Sequence, residues 1–422
     1  MTTPTRRSVL AQAAALGVSV SFLGRAAYAA SDGDIARRKL VIVICRGGMD
    51  GLSVSPPVGD PDYAALRERI AIPGFGQPGG ALKLDDTFGL HPALASVHRL
   101  ALAGQARICP AVATPDRARS HFEAQDVLES GGTVAYGAGS GWLNRTLVAL
   151  APGRKIEALS VGSTAPLILR GPVQAGSWSP GGLEARDERL PRILADLYAK
   201  DPLLGPALAS GLQTQSMAKA ASALAAAQDS GGAQMAGQTA APNPTRQVRA
   251  DPNAARQVGT TVAKFMTEPN GPQIVAISID NFDTHANQGA AQGLLAGRLT
   301  YLDGVLGGLA DGLGPEWSNT VVVAATEFGR TARVNGTGGT DHGTASTALV
   351  LGGALKRTGI VGDWPTLQQA KLYENRDTAP TLDMRALFKG VLTEHLGVER
   401  KALDGAIFPD SGQVQAARGV VA

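Results

Sequence analysis

Four continuous apolar runs stand out against an otherwise mixed chain. They are Lys39–Cys45, Ala106–Ala113, Gln273–Ile279 and the β-branched stretch from Val321 to Val323, which runs on to Thr326-Glu327. Runs of this length, bounded by turn residues and lacking polar alternation, predict strands covered on both faces, as in a parallel sheet. A shorter run, Ile156–Val161, predicts another strand, and Ala348–Leu351 is a second apolar run after the glycine-rich loop that follows Glu327.

Between these runs the apolar period lengthens to that of a helix. Helices are expected at 61–69, 91–102, 185–200, 203–227, 254–266, 289–313 and about 382–396, with His395 on the surface of the last. His91 and His98 read as capping and decorating their helix. Gly131–Gly141 reads as a connector. Residues 228–252, rich in Ala, Gln, Gly and Ser, read as part of a surface insertion covering about 203–252. Strands alternating with helices predict an α/β fold: a three-layer αβα domain on a mostly parallel, doubly wound sheet.

The amino terminus stands apart from that domain. Thr5-Arg6-Arg7-Ser8-Val9-Leu10 opens a twin-arginine pattern, an apolar stretch runs to Leu23, and Ala27-Tyr28-Ala29 supplies a small-x-small cleavage site. Residues 1–29 therefore read as an export signal for the twin-arginine machinery, with 30–422 as the mature domain, periplasmic or secreted. The apolar stretch is shorter than the roughly 20 residues of a spanning helix, so no permanent anchor is expected. The leader holds Arg6, Arg7 and Arg25 and no acid, which accounts for the whole excess of 39 basic over 36 acidic residues. A balanced mature chain gives no case for nucleic acid. Cys45 and Cys109, both inside apolar runs, read as buried thiols, although an oxidising compartment permits a disulfide.

The candidate chemistry lies where the apolar runs end, which is where open α/β sheets collect their ligands. Asp50 follows the first run in RGGMDGL and is either a ligand or a turn residue. Ser120, three residues before Glu123, has the spacing of a helix cap; a helix start equally suits a nucleophile, and His121 adjoins it. Asp283 and His285 follow Gln273–Ile279. Glu327, Arg330, Asp341 and His342 share the loop between the last two apolar runs. Carboxylate and imidazole together favour Zn, Mn or Fe over Mg or Ca. Two such divalent ions could clamp a phosphoryl or sulfuryl group. Arg330 or Arg46 could add a fork of donors to its oxyanion.

Taken together, RGGMDGL, RSHFEAQD, FDTHANQG, EFGRT and GGTDHG resemble the family called domain of unknown function 1501, exported bacterial proteins similar to the alkaline phosphatase and sulfatase superfamily. The resemblance implies an alkaline phosphatase-like fold. It implies Asp50, Asp283, His285, Glu327 and His342 as metal ligands, and Asp341 as a further ligand or an orienter of His342. It also implies Ser120 as nucleophile, Arg330 on the oxyanion, and His121 orienting Ser120 or the leaving group. The sequence departs from the superfamily pattern where Glu327-Phe328 stands in place of an Asp-His pair, and where Asp283 and His285 are closely spaced. The expected function is metal-dependent hydrolysis of phosphate or sulfate esters. The alternatives are an extracytoplasmic binding or assembly protein on a degenerate hydrolase fold, or a one-cation enzyme of oxidative or lyase chemistry.

Overall fold

The computed structural model describes residues 37–150, 158–162, 166–178, 252–269 and 271–422. The expected export signal, the 185–200 and 203–227 helices and most of the Ala/Gln-rich insertion lie outside the described residues. The strands are β1 (Lys39–Cys45), β2 (Leu82–Lys83), β3 (Gly89–Leu90), β4 (Ala106–Ala113), β5 (Ala158–Val161), β6 (Gly176–Trp178), β7 (Ile274–Ile279), β8 (Thr320–Ala325), β9 (Ser346–Leu351) and β10 (Leu382–Asp383). Eight of them form one sheet in the order β10-β4-β9-β8-β1-β7-β5-β6. Only β9 runs against its neighbours β4 and β8; the other pairings are parallel.

Alternate residues of β1 feed opposite faces, as the two-residue period of a strand requires. Val41, Val43 and Cys45 pack beneath the helices α3 (Ala95–Leu102), α6 (Pro252–Thr267) and α7 (Leu294–Leu313). Leu40, Ile42 and Ile44 pack against α4 (His121–Ser130), α5 (Trp142–Leu150) and α8 (Met384–Leu396). The short helices α1 (Gly51–Val54) and α2 (Tyr63–Arg67) lie in the connection from β1 to α3. This is the three-layer αβα arrangement, and β1 is buried on both faces along its length.

Several boundaries moved for identifiable reasons. The helix expected from residue 289 begins at Leu294, because Gly289 and Gly293 take positive φ and hold the preceding segment out of helical conformation. The pattern around α5 did not predict a helix: Asn144 and Thr146 are buried among its apolar positions and blur the stripe. In β4, a bulge between Cys109 and Val112 falls where Pro110 lacks the N–H a ladder needs. Cys45 and Cys109 are free and belong to opposite core faces; burial pushes the Cys109 thiol up to about 12 and raises Cys45 further.

His395 is a correction. It is buried, not on the surface, and its Nε2 bonds the Lys39 carbonyl at 2.8 Å. Burial lowers its pKa from 6.5 to about 4, against the opposing effect of that bond. The folded protein therefore holds a neutral imidazole where the unfolded chain binds a proton below 6.5. Its contribution is complete above pH 6.5 and is lost as the pH falls towards 4. The melting temperature should fall across that window in wild type and fall less steeply in His395→Gln, as followed by circular dichroism.

Candidate metal centre

The carboxyl ends of β1, β4, β7 and β8 lie along one edge of the sheet. Because β9 returns antiparallel to β8, the whole connection from 326 to 345 stays at that edge. The topology thus gathers loops 46–50, 114–120, 280–293 and 326–345.

Asp283 is the hub. Its Oδ1 lies 3.0 Å from His285 Nε2 and 3.4 Å from His342 Nε2, and its Oδ2 lies 3.4 Å from His121 Nε2. The Nε2 atoms of His285 and His342 are 3.0 Å apart. One ligand atom from each of His121, Asp283 and His342 lies within 4.8 Å of the others. For metal–ligand bonds of about 2.0–2.1 Å, a tetrahedron has edges of about 3.3 Å. The spacings of Asp283 to each imidazole and of His285 to His342 match that scale.

The other ring nitrogens fix the orientation. His121 Nδ1 pairs with Glu327 Oε1 at 2.9 Å, His342 Nδ1 with the Arg119 carbonyl at 2.8 Å, and His285 Nδ1 with Asp341 Oδ1 at 3.3 Å. An oxygen partner on each Nδ1 suits a proton there when a cation takes the Nε2 side. Lone pairs on Nε2 facing one another and the Asp283 carboxylate at these distances need a proton or a cation between them. Backing of a ligand imidazole by carboxylate or carbonyl is the usual support of a metal-binding histidine. The Nε2 of His121 is buried and makes no hydrogen bond. The residues therefore fit a cation: ligand atoms of His121, Asp283 and His342 converge, and His285 Nε2 adjoins both Asp283 and His342.

Phe328 packs against the imidazoles, with its ring centroid 4.9 Å from that of His121 and 4.8 Å from that of His342. Gly47 and Gly48 make room for this packing. Both have positive φ, a Cβ on Gly47 would come within 2.6 Å of the Asp283 amide, and one on Gly48 would enter the Phe328 ring.

The remaining expected site residues take distinct places. Glu327 is fully buried behind His121. Its Oε1 accepts the amides of Gly47 and Gly48 (2.8 and 3.1 Å) and Gln125 Nε2 (3.2 Å), and its Oε2 accepts Thr326 Oγ1 (2.9 Å). Burial works to raise its pKa, but the His121, backbone and Gln125 hydrogen bonds prevail and hold it below the usual range. The same bond to Glu327 raises His121. Asp341 backs His285 instead of His342. Hydrogen bonds from Asn335 and then His285 lower its pKa against burial.

Arg330 is buried and its donors are already used. Nε bonds the Gly48 carbonyl at 2.7 Å, Nη1 the Thr340 carbonyl at 3.1 Å, and Nη2 the Gly47 carbonyl at 3.1 Å and the Asp283 carboxylate. Burial works to raise the Asp283 pKa, but the charge and hydrogen bond of Arg330, with His285 and His121, together outweigh it and hold the group low. Arg46 is paired with Glu129 on α4.

Asp50 sits in a separate buried group. Its Oδ2 accepts Ser53 Oγ (2.8 Å), Gln288 Nε2 (2.6 Å) and the Arg67 guanidinium, which is itself inaccessible to solvent. The structure brings neither Asp50 nor a Glu327 oxygen into the imidazole cluster by any hydrogen bond other than the one to His121 Nδ1. Ser120 is the N-cap of α4, but its hydroxyl bonds the Glu123 carboxylate and caps no backbone amide.

Gln125, Glu129, Arg67, Gln288, Arg119 and Asp377 were not foreseen as site residues. Gln125 and Glu129 were within reach of pattern reading, one and two helical turns beyond His121 on the same face.

An αβα domain with an Asp-centred trio of histidines at the carboxyl edge of its sheet defines the class of site. The chain belongs to the family described as "Protein of unknown function (DUF1501)", whose model matches residues 37–407. No curated protein matches it. Among solved structures it is similar to the C-terminal periplasmic domain of EcEptC from Escherichia coli, with 11% identity, 91% of this chain and 87% of that chain covered, and a TM-score of 0.38. It is also similar to Ps i-CgsB, with 10% identity, coverage of 90% and 77%, and a TM-score of 0.39. A third is the alkaline phosphatase of the Antarctic bacterium TAB5, with 11% identity, coverage of 76% and 94%, and a TM-score of 0.35.

Proposed function

We propose that the protein is an exported, metal-dependent hydrolase of phosphate or sulfate esters, built on one divalent cation held by Nε2 of His121, His285 and His342 and by Asp283. The observation that supports this most is the shared arrangement of the three imidazoles, each with Nδ1 bonded to an oxygen and Nε2 turned towards Asp283. An imidazole-rich donor set favours Zn, Mn or Fe over Mg and Ca. Both Glu327 oxygens and Asp50 Oδ2 are engaged by protein donors, which favours one cation over the expected two, although Asp50 Oδ1 is buried and has no hydrogen-bond partner. The twin-arginine leader supports export before cleavage, into the periplasm or beyond.

When bound, the cation would act as a Lewis acid towards the ester's oxygens. The chain supplies the rest. Ser120 stands at the start of α4, beside His121, where the helix dipole favours an anionic group. Its Oγ would attack phosphorus or sulfur as its proton passes to Glu123, and the ester bond would break, the leaving alkoxide taking that proton to depart as the alcohol. Water would then release the phosphate or sulfate from Ser120. Arg330 holds Asp283 and the Gly47-Gly48 turn in place, so its role is to position the ligands, not to grip the substrate.

The test is a panel of phosphate and sulfate monoesters on Zn- or Mn-loaded protein. Turnover is expected, abolished in Ser120→Ala and reduced on the order of a hundredfold or more in Glu123→Gln, with metal content unchanged. Full turnover in Ser120→Ala would reject the nucleophile. A second reading, a degenerate hydrolase fold that binds a partner, is favoured by the engagement of Asp50 and Glu327. It expects metal uptake with no turnover on any ester.

A further inference from the structure

Asp377 lies outside every motif that suggested a site, yet it is buried completely and joins the segments that surround His342. Its Oδ2 accepts Arg119 Nε at 3.1 Å and Thr344 Oγ1 at 2.9 Å, and its Oδ1 accepts Arg376 Nη1 at 3.2 Å. Arg376 in turn donates from Nη2 to the backbone carbonyl of His342 at 2.8 Å. Arg119 reaches a second carboxylate, Glu374, which is more than half exposed.

The backbone shows what this clasp does. Arg119 has φ +55°, the left-handed region that a side chain with a β-carbon disfavours. Such a conformation persists only where its surroundings enforce it. In that conformation its carbonyl accepts His342 Nδ1 at 2.8 Å, the bond that leaves Nε2 facing Asp283. The next two residues are Ser120 and His121. The partner turn is also tightly set, with Tyr373 and Asp377 exchanging backbone bonds of 2.8 and 3.0 Å and with Glu374 and Asn375 left-handed.

We infer that Asp377 is a positioning residue of the cation centre: through Arg119 it fixes the carbonyl that orients His342 and the loop that delivers Ser120 and His121. This rests on the cation reading above and adds to it a residue that touches neither the ion nor the substrate. The carboxylate acts at a distance of 35 positions from His342 and 258 from Arg119, by holding a strained backbone in one conformation.

The experiment titrates the mature full chain with Co²⁺, following d–d absorption, and with Zn²⁺ by calorimetry, and records melting of the metal-free proteins. Asp377→Asn should weaken binding on the order of tenfold or more and shift the Co²⁺ spectrum, while the exposed-partner variant Glu374→Gln stays within about twofold of wild type. Arg119→Gly relieves the backbone strain but deletes the clasp, and should lose affinity in the same way. Arg119→Lys, which keeps a cation for Asp377, should recover part of it. Wild-type affinity and spectrum in Asp377→Asn, or in Arg119→Gly, would overturn the inference. So would a loss confined to melting temperature. If Asp377→Asn does not fold, the Arg119 pair decides. A wild type that takes up no Co²⁺ or Zn²⁺ would overturn the cation centre itself. Metal uptake without ester turnover would reject the hydrolase reading and leave this one standing.

Discussion

Asp283→Ala is expected to lower Zn²⁺ affinity on the order of a hundredfold or more, beyond the ten- to hundredfold cost of removing a group that only supports a ligand. Among the described residues Asp283 is the one carboxylate in ion-pair range of all three imidazoles, and it is also the partner of the buried Arg330 guanidinium. Alanine removes the carboxylate and leaves the Arg330 cation without its counter-charge beside the imidazoles, so on the cation reading an incoming divalent ion meets repulsion where it met attraction. Glu327→Gln probes the support alone. It keeps the shape and part of the hydrogen bonding but removes the charge behind His121, and should fall within the ten- to hundredfold range. Calorimetric titration of both variants separates ligand from support. Equal, small losses would mean that Asp283 does not bind the ion.

The second large effect concerns folding. Asp50→Ala leaves the Arg67 guanidinium buried with only the carbonyls of Thr331 (3.2 Å) and Ala332 (3.4 Å) and the Ser53 hydroxyl (3.0 Å) as acceptors. Breaking one side of a buried pair costs about 3–5 kcal/mol, mostly through the charge left behind. Urea unfolding should show a loss of that size in Asp50→Ala and a similar loss in Arg67→Met. Asp50→Asn combined with Arg67→Gln, which leaves no unpaired charge, should recover much of it. Metal affinity should stay near wild type in the double variant. A native-like unfolding curve for Asp50→Ala together with lost metal would instead make Asp50 a ligand.

These two aspartates show what could be read in advance and what could not. Both were visible because they follow buried strands, and β1 and β7 announce themselves as unbroken apolar runs. The three-layer fold follows from the same runs alternating with helical periods. Their roles depend on what each meets in three dimensions. Asp50 meets Arg67 and Gln288, the latter 238 positions away, and they occupy its Oδ2. Asp283 meets three histidines drawn from three loops. His121 looked like an accessory to Ser120 because the two are adjacent, and only the fold brings its Nδ1 to Glu327, 206 positions on. His395 failed differently. A lone imidazole in the last turn of a helix looks solvated unless the carbonyl it reaches, that of Lys39 at the far end of the chain, is known. Asp377 left no local trace, since neither it nor Arg119 stands in a recognisable pattern with the other.

The most direct test of the account is X-ray absorption at the edge of the metal that the mature protein retains after purification without chelators. The cation centre predicts one Zn, Mn or Fe per chain, with a first shell of about 2.0–2.2 Å and the outer scattering of three imidazoles beside a carboxylate. An all-oxygen shell, or a folded protein that takes up no such ion even when Zn²⁺ or Mn²⁺ is supplied, would contradict it.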